Sequence, residues 1–339
     1  MNVPKIAIIL PCYNEEKMLA FSIPAMENLV GKFIEEGIAS ENSKACFIND
    51  GSNDKTWETI KSAVHRNKHI CGISLSRNFG HQGALLAGLH ALDADAYITI
   101  DADLQDNPEC IREMLAKYAS GTEIVCGVRK RRDTDSFFKR NTAILFYRIM
   151  NLCGVKTIPN HADFRLMGRK SVMELRKYKE KNLFLRGLIL SLGFKTDSVY
   201  YDRKERAAGE TKYPLRKMLA FAWNGITSFT TLPLKIISLS GILFFITGLF
   251  LIADLPAYNI ITAKFTTGLF CCFSGINLMA LGLIAEYIGK ILIEAKQRPS
   301  FIIEEKTGLQ CRMKKTISLL NSKFIFRINS FCKNKEPGR

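Results

Sequence analysis

Residues 96–106 have the sequence AYITIDADLQD. The first five residues are rich in aromatic and β-branched side chains and predict a buried strand, and the next six place three carboxylates and an amide directly after it. Mg²⁺ and Mn²⁺ prefer oxygen ligands and keep coordination positions for water or phosphate. The segment therefore predicts a divalent-cation site at the end of a strand, with a solvated acidic turn as the alternative.

The surrounding sequence alternates short apolar runs with helical patterns. Five runs predict strands, at residues 6–10, 45–48, 71–75, 97–100 and 124–128. Helical patterns separate several of them, from Glu16 onward, at 56–64 and at 82–92. Strands that alternate with helices predict an α/β domain with a mainly parallel sheet, in which ligands bind beyond the carboxyl ends of the strands.

Two more polar clusters follow predicted strands. They are PCYNEE at residues 11–16 and NDGSND at residues 49–54. Because parallel strands end at the same edge, we expect these clusters to share one crevice with residues 101–106. Helix capping is the alternative for any one cluster, since Asn, Asp and Ser favour that position.

Composition indicates a folded chain with a basic end. The 339 residues are 47% hydrophobic and 24% charged, with a net charge of +16. From Lys306 to the end there are nine Lys or Arg residues and one Glu, so half of the excess charge lies there. Such a segment favours anionic surfaces, and the apolar stretches before it favour lipid over nucleic acid.

Two apolar stretches predict a transmembrane hairpin. Residues 236–253 and 265–285 contain no charged side chain, and as helices they would be roughly 27 and 32 Å long, close to the thickness of a bilayer. Buried core helices are the alternative. Basic residues flank the pair while the loop at 254–264 has one acid and one base, which predicts cytoplasmic termini.

The sequence is accordingly divided into four parts. They are a catalytic domain at 1–212, amphipathic interfacial helices at 213–231, a two-span hairpin at 232–290 and a cytoplasmic basic tail at 291–339. A packed inter-domain helix is the alternative for 213–231. The first residues lack signal-peptide features, and the ten cysteines are scattered, which is typical of a reducing compartment.

Six ordered motifs resemble family 2 glycosyltransferases of the GT-A fold, and with the hairpin they resemble the polyprenyl-phosphate glycosyltransferase subgroup. The motifs lie at residues 11–16, 49–54, 77–83, 101–106, 162–167 and 206–213. The resemblance covers residues 5–305. It implies a nucleotide-sugar donor, a polyprenyl phosphate acceptor and Mg²⁺ or Mn²⁺ as cofactor.

The resemblance also implies roles for individual residues. Donor binding is implied for Pro11, Tyr13, Asn14, Glu15, Asp50, Ser52, Asp101 and Ala102. Metal binding is implied for Asp103 and Gln105. Binding of the acceptor phosphate is implied for Arg129, Arg140, Arg206 and Lys212. A catalytic role is implied for Asp101, Asp103, Asp163 and Arg165.

Asp163 is interpreted as an orienting group rather than a general base, because a phosphate monoester is largely ionised at pH 7 and has little proton to lose. His81 and His161 are interpreted as hydrogen-bonding residues, since the expected cation prefers oxygen.

These implications predict a membrane enzyme of the bacterial inner membrane. It would transfer a hexose, with glucose from UDP-glucose fitting best, to undecaprenyl phosphate on the cytoplasmic face, with inversion at the sugar carbon. A homo-oligomer formed through the glycines of the spans is a further expectation. The alternatives are transfer of mannose or an amino sugar, a processive polysaccharide synthase and a catalytically silent membrane scaffold.

Overall fold

The computed structural model describes residues 3–130, 158, 161–178, 180, 185–202, 227, 232–253 and 260–309. Its centre is an eight-stranded sheet of order β7-β5-β6-β4-β1-β2-β3-β8. The strands are β1 (Ile6–Cys12), β2 (Lys44–Asn49), β3 (Ile70–Leu75), β4 (Ala96–Thr99), β5 (Ile124–Arg129), β6 (His161–Gly168), β7 (Thr196–Tyr201) and β8 (Ile303–Thr307).

Helices cover both faces of this sheet. In chain order they are α1 (Glu16–Glu35), α2 (Thr56–Arg66), α3 (His81–Ala91), α4 (Cys110–Ala119), α5 (Arg169–Leu175) and α6 (Leu185–Ser191). Ile8 of β1 packs with α1, α2 and α4, whereas the next residue, Ile9, packs with α3, α5 and α6. Alternate side chains of a strand point to opposite faces, so a strand covered on both sides is apolar throughout.

All five predicted strands and the three predicted helices are confirmed, with ends that differ by a few residues. The prediction of a mainly parallel sheet is confirmed in that six of the eight strands share one direction, but the sheet is mixed because two strands run oppositely. β1 is parallel to β2 and β4, and the pairs β2–β3 and β5–β7 are parallel. β6 lies antiparallel between β4 and β5, and β8 is antiparallel to β3. Both antiparallel strands join partners that are distant in sequence, which local patterns do not reveal.

β8 comes from the segment that the sequence division assigned to the basic tail. It covers the edge of β3, and the Ser76 N–H donates to the Ile302 carbonyl at 3.0 Å just beyond the ladder. The Trp57 Nε1–H donates to Glu305 Oε2 at 2.8 Å, and Phe301 and Ile303 pack against the core. Residues after the apolar helices therefore belong to the same sheet as the N-terminal strands.

Two further helices, α7 (Leu232–Ala253) and α8 (Ile260–Ala295), contain the apolar stretches. Within the described residues one segment, Phe273–Ala295, is long and apolar enough to cross a membrane, and only 6% of its most apolar 18-residue stretch is buried. The shorter apolar stretch of α7 is Pro233–Leu243. Two spans are thus not confirmed.

The segment in α8 lies further along the chain than the predicted run at 265–285. The predicted run was ended by the charge of Glu286, but Glu286 lies 3.7 Å from Lys290 one helical turn later. A pair of opposite charges on one helical turn is a smaller obstacle to an apolar environment than two separate charges.

Candidate active site

One edge of the sheet collects the ends of six strands. β1, β2, β3, β4, β5 and β7 run in the same direction, and β6 runs oppositely and begins at that edge. The Thr99 hydroxyl donates to the Asp163 carbonyl at 2.6 Å, which joins the end of β4 to the beginning of β6. The predicted clusters after β1, β2 and β4 therefore meet at one crevice, together with the first residues of β6.

The loops after β1 and β2 are held together by hydrogen bonds that backbone N–H groups donate. The Asn14 N–H donates to Ser52 Oγ at 3.0 Å, and the Asn53 N–H donates to Asn14 Oδ1 at 2.9 Å. Asn14 has a φ of 53°, a left-handed conformation that Asn tolerates better than most residues. The predicted donor residues Asn14 and Ser52 thus lie side by side and shape the crevice wall.

Three further predicted donor residues lie on the same wall. Tyr13 is 45% exposed, so its ring is open to a ligand, and Pro11 is partly buried below it at the end of β1. The Glu15 N–H donates to Thr56 Oγ1 at 3.0 Å, which fixes the backbone of the loop at the start of α2. Their binding roles stay predictions.

Asp50 has a contact that the sequence did not predict. Its Oδ1 accepts a hydrogen bond from the Phe79 N–H at 2.7 Å, and its side chain is buried. The neighbouring Gly51 has a φ of +64°, and a Cβ there would lie 2.4 Å from the Arg77 carbonyl carbon. Asp50 and Gly51 therefore organise the loop at 77–80, and a direct contact of Asp50 with a base stays a prediction.

The acidic loop after β4 divides its carboxylates between two surroundings. Asp101 has a side chain 34% exposed in the crevice, and Asp103 is buried and accepts from the Gln105 N–H at 3.2 Å. Leu104, between Asp103 and Gln105, has a φ of 55°, which is uncommon for a residue with a side chain. Asp106 is fully buried and contacts Arg129 at the end of β5.

The charge of this loop fits a cation. Partial burial raises the pKa of Asp101 to about 6; His81 opposes the rise, and Asp163, Asp106 and Asp103 add to it. Within the described part of the chain no three His, Cys, Asp or Glu side chains form a metal cluster by themselves. Mg²⁺ is commonly held by one or two carboxylates with water and substrate phosphate. Asp103 and Gln105 therefore fit a cation whose other ligands are water and the oxygens of a diphosphate.

Asp163, at the start of β6, is surrounded by cationic side chains. Arg165 donates to Oδ1, and Arg186 of α6 donates to both oxygens, from Nε at 3.2 Å and from Nη2 at 3.0 Å. Burial alone would raise the pKa of Asp163, but Arg186, His81 and Arg165 hold it well below its usual range. A carboxylate with such a low pKa is a poor general base.

His81, the first residue of α3, bridges the two acidic groups. Its Nε2 lies 3.5 Å from Asp163 Oδ2 and 3.6 Å from Asp101 Oδ1. Burial would lower the pKa of His81, but a hydrogen bond that His81 donates to Asp163 and the charge of Asp101 outweigh it and raise the pKa. The interpretation of His81 as a hydrogen-bonding residue fits this position.

A second charged group lies where β5 and β7 end. Arg129 donates to Asp106 Oδ1 from Nε at 3.2 Å and from Nη2 at 3.0 Å. The Tyr201 hydroxyl donates to the same oxygen at 2.6 Å. The Arg129 side chain is 25% exposed. Arg129, predicted to bind the acceptor phosphate, is thus anchored by the last residue of the acidic loop.

Three predicted residues, Arg140, Arg206 and Lys212, lie outside the described residues, so their roles stay predictions. Four residues of the site were given no catalytic or binding role from the sequence, namely His81, Asp106, Arg186 and Tyr201. Asp106 was noted only as one acid of its cluster. Arg186 lies in a short helix with no polar cluster, and only its contact with Asp163 reveals it.

The mixed sheet, the crevice at its strand ends and the acidic loop define the protein as a glycosyltransferase of the GT-A type. The chain belongs to glycosyl transferase family 2, whose model matches residues 7–176.

Curated relatives match most of the chain. An uncharacterized glycosyltransferase YkoT of Bacillus subtilis (strain 168) is 48% identical over 89% of this chain and 91% of its own length. A prophage bactoprenol glucosyl transferase homolog of Escherichia coli (strain K12) is 38% identical over 88% and 98%. The bactoprenol glucosyl transferase of Shigella phage SfV is 36% identical over 89% and 99%. The resemblance noted in the sequence is confirmed.

Proposed function

We propose that this glycosyltransferase transfers glucose from UDP-glucose to undecaprenyl phosphate at the cytoplasmic face of a bacterial inner membrane. The observation that carries the proposal is the arrangement of the crevice, in which an acidic loop suited to a cation lies beside arginines suited to an anionic acceptor. Relatives named bactoprenol glucosyl transferase support both the sugar and the lipid.

The donor occupies the wall formed by the loops after β1 and β2. Tyr13 offers an exposed aromatic face to the uracil, and Glu15 accepts hydrogen bonds from ribose hydroxyls. Asp103 and Gln105 would hold Mg²⁺ or Mn²⁺, and the bound cation would supply positive charge for the departing diphosphate. The loop that carries these ligands is fixed by the Gln105 N–H to Asp103 hydrogen bond.

The acceptor phosphate enters from the side of Arg129. Its oxygen forms a bond to C1 of the sugar while the bond from C1 to the diphosphate oxygen breaks, and UDP leaves with the electron pair. A dianionic phosphate has no proton to give up, so the site supplies position and charge rather than a base. The low pKa of Asp163 agrees with an orienting role, in which it holds Arg165 and Arg186 in place.

Two membrane spans are part of the proposal, and the position of β8 supports them. β7 and β8 belong to one sheet and so lie on one side of a bilayer. A chain that crosses the bilayer once between them must therefore cross back. A single crossing by Phe273–Ala295 would separate β8 from its partner β3. α7 therefore provides the second crossing, and the catalytic domain and β8 stay on the cytoplasmic side, where nucleotide sugars are made.

A topology experiment checks this part alone. A cysteine introduced into the segment at 254–259 should react with an impermeant maleimide added to intact cells, and one introduced at the exposed Glu304 of β8 should react only after the cells are opened, with the parent chain and its native cysteines as the baseline. Reaction of both cysteines from the same side would contradict the hairpin.

The catalytic part is tested by transfer of radiolabelled glucose from UDP-glucose to undecaprenyl phosphate, measured in extracted lipid. Asp103→Ala should reduce transfer to background with the protein still folded in the membrane, because the cation loses its carboxylate ligand. The matched control is Asp93→Ala, since Asp93 is 51% exposed and pairs with Arg169 outside the crevice. Full transfer by Asp103→Ala in added Mn²⁺ would overturn the metal assignment.

A further inference from the structure

Asp106 contrasts with the other carboxylates of its loop. Its relative exposure is 0%, whereas the Asp101 side chain lies one-third open to the crevice. Asp106 Oδ1 accepts three hydrogen bonds, two from Arg129 and one from Tyr201. The last residue of the acidic motif therefore contacts an arginine and a tyrosine of the acceptor side.

The arrangement restricts Arg129 more than a surface ion pair would. Two of its nitrogens bind one oxygen, and that oxygen is fixed in turn by the Tyr201 hydroxyl. Tyr201 packs edge-on against Phe164 with 5.5 Å between ring centroids. Burial and the charge of Asp106 raise the pKa of Tyr201, so its hydroxyl stays protonated as a donor. The guanidinium keeps one orientation while 25% of the side chain remains open.

Stability alone is a weak reason for such a group. A buried ion pair costs desolvation on both partners, and apolar residues of similar volume often stabilise a fold as well or better. A preorganised guanidinium, in contrast, is suited to bind an anion, because little further freedom is lost on binding.

We propose that Asp106 and Tyr201 are positioning residues, which hold the Arg129 guanidinium at the crevice rim for the anionic acceptor. This inference rests on the proposed function, in which that acceptor is a polyprenyl phosphate. It also links the two substrates physically, because one loop carries the cation ligands at its middle and the anchor of the acceptor arginine at its end.

The test uses the full chain in detergent, with UDP-glucose and undecaprenyl phosphate as substrates. Tyr201→Phe removes one hydrogen bond to Asp106 and keeps the ring packed on Phe164. The KM for undecaprenyl phosphate should rise about fivefold, which is less than the full contribution of a hydrogen bond to a charged group, because Tyr201 acts on the acceptor only through Arg129. The KM for UDP-glucose should not change. Tyr200→Phe is the matched control, because the neighbouring Tyr200 is 58% exposed.

Asp106→Asn should have a larger effect in the same direction, about tenfold or more, because the charge that orients Arg129 is lost. A double-mutant cycle identifies the route of the effect. In an Arg129→Ala background, Tyr201→Phe should leave the acceptor KM unchanged, since a residue that acts through Arg129 has nothing left to position.

The outcomes separate this inference from the proposed function. If the wild-type protein transfers glucose to the lipid and Tyr201→Phe keeps the wild-type acceptor KM, the positioning role is wrong and the proposed function stands. Equal increases in both KM values, or a full Tyr201→Phe effect without Arg129, would also overturn it. If the wild-type protein binds UDP-glucose but transfers nothing to the lipid, the proposed function itself fails.

Discussion

The two walls of the crevice are built from different interactions. The wall formed by the loops after β1 and β2 is joined by hydrogen bonds from backbone N–H groups, such as those of Asn14 with Ser52 and Asn53. It is called the neutral wall because its donors are uncharged, although the carboxylates of Asp54 and Glu16 accept two of these bonds. The opposite wall, where β5, β6 and β7 meet, is joined by buried or partly buried charges, namely Asp163 with Arg165 and Arg186, and Asp106 with Arg129.

This difference decides how each wall tolerates change. A neutral hydrogen bond contributes about 1 kcal/mol, and water replaces it at an exposed site. Removal of one partner from a buried ion pair leaves a charge without compensation and costs about 3–5 kcal/mol. We therefore expect the charged wall to be sensitive to substitution and pH, and the neutral wall to be sensitive mainly where backbones touch.

The largest effect is expected for Asp163→Ala, which leaves the buried Arg165 and the partly buried Arg186 without their carboxylate. The free energy of unfolding in detergent should fall by about 3–5 kcal/mol, and transfer should be lost. Asp197→Ala is the control, because the ion pair of Asp197 with Lys117 is about half exposed on the aspartate side and should contribute about 1 kcal/mol or less. Similar losses from both variants would contradict the contrast between buried and exposed pairs.

The pH dependence of stability should follow the same carboxylate. Because the pKa of Asp163 is held below its unfolded value, its stabilising contribution is complete above pH 4 or so and is lost as the pH falls further. As the pH is lowered from about 4, the melting temperature of the wild-type protein should therefore decrease, and that of Asp163→Asn should decrease less steeply. A variant of the neutral wall, Ser52→Ala, should retain the wild-type slope.

An intermediate effect is expected where the neutral wall has a close backbone contact. Gly51→Ala places a Cβ 2.4 Å from the Arg77 carbonyl carbon at a φ of +64°, so the loop at 77–80 must move. We expect a loss of about 2–4 kcal/mol and a higher KM for UDP-glucose.

Gly37→Ala is the matched control for this prediction. Gly37 has a φ of +67° but no atom within 4 Å of the Cβ position, so only the conformational cost of about 1–2 kcal/mol applies. Equal losses at the two glycines would show that the contact with Arg77 has no importance.

The smallest effect is expected for Ser52→Ala, which removes the acceptor of the Asn14 N–H at an exposed position. The free energy of unfolding should change by about 0.5–1 kcal/mol, because water can take over the hydrogen bond. Measurement of the KM for UDP-glucose gives the second readout, with a change of no more than a few-fold. A loss as large as that of Asp163→Ala would remove the distinction between the walls.

Much of the donor side was predictable from local patterns. The strands β1 to β5 and the helices α1 to α3 appear as apolar runs and helical periodicity, and the polar clusters after the strands indicated the crevice. The acceptor side was less predictable, because its defining contacts join residues far apart in sequence, such as Asp106 with Tyr201 and Asp163 with Arg186.

The sequence by itself determined the α/β class, the acidic loop at the end of β4 and the apolar character of the segments after residue 231, because each depends on neighbouring residues. Tertiary structure alone decided that β6 and β8 enter the sheet antiparallel and that Asp106 contacts Arg129. The physical reason is that strand pairing and the compensation of buried charge depend on which distant groups the fold brings within a few ångströms.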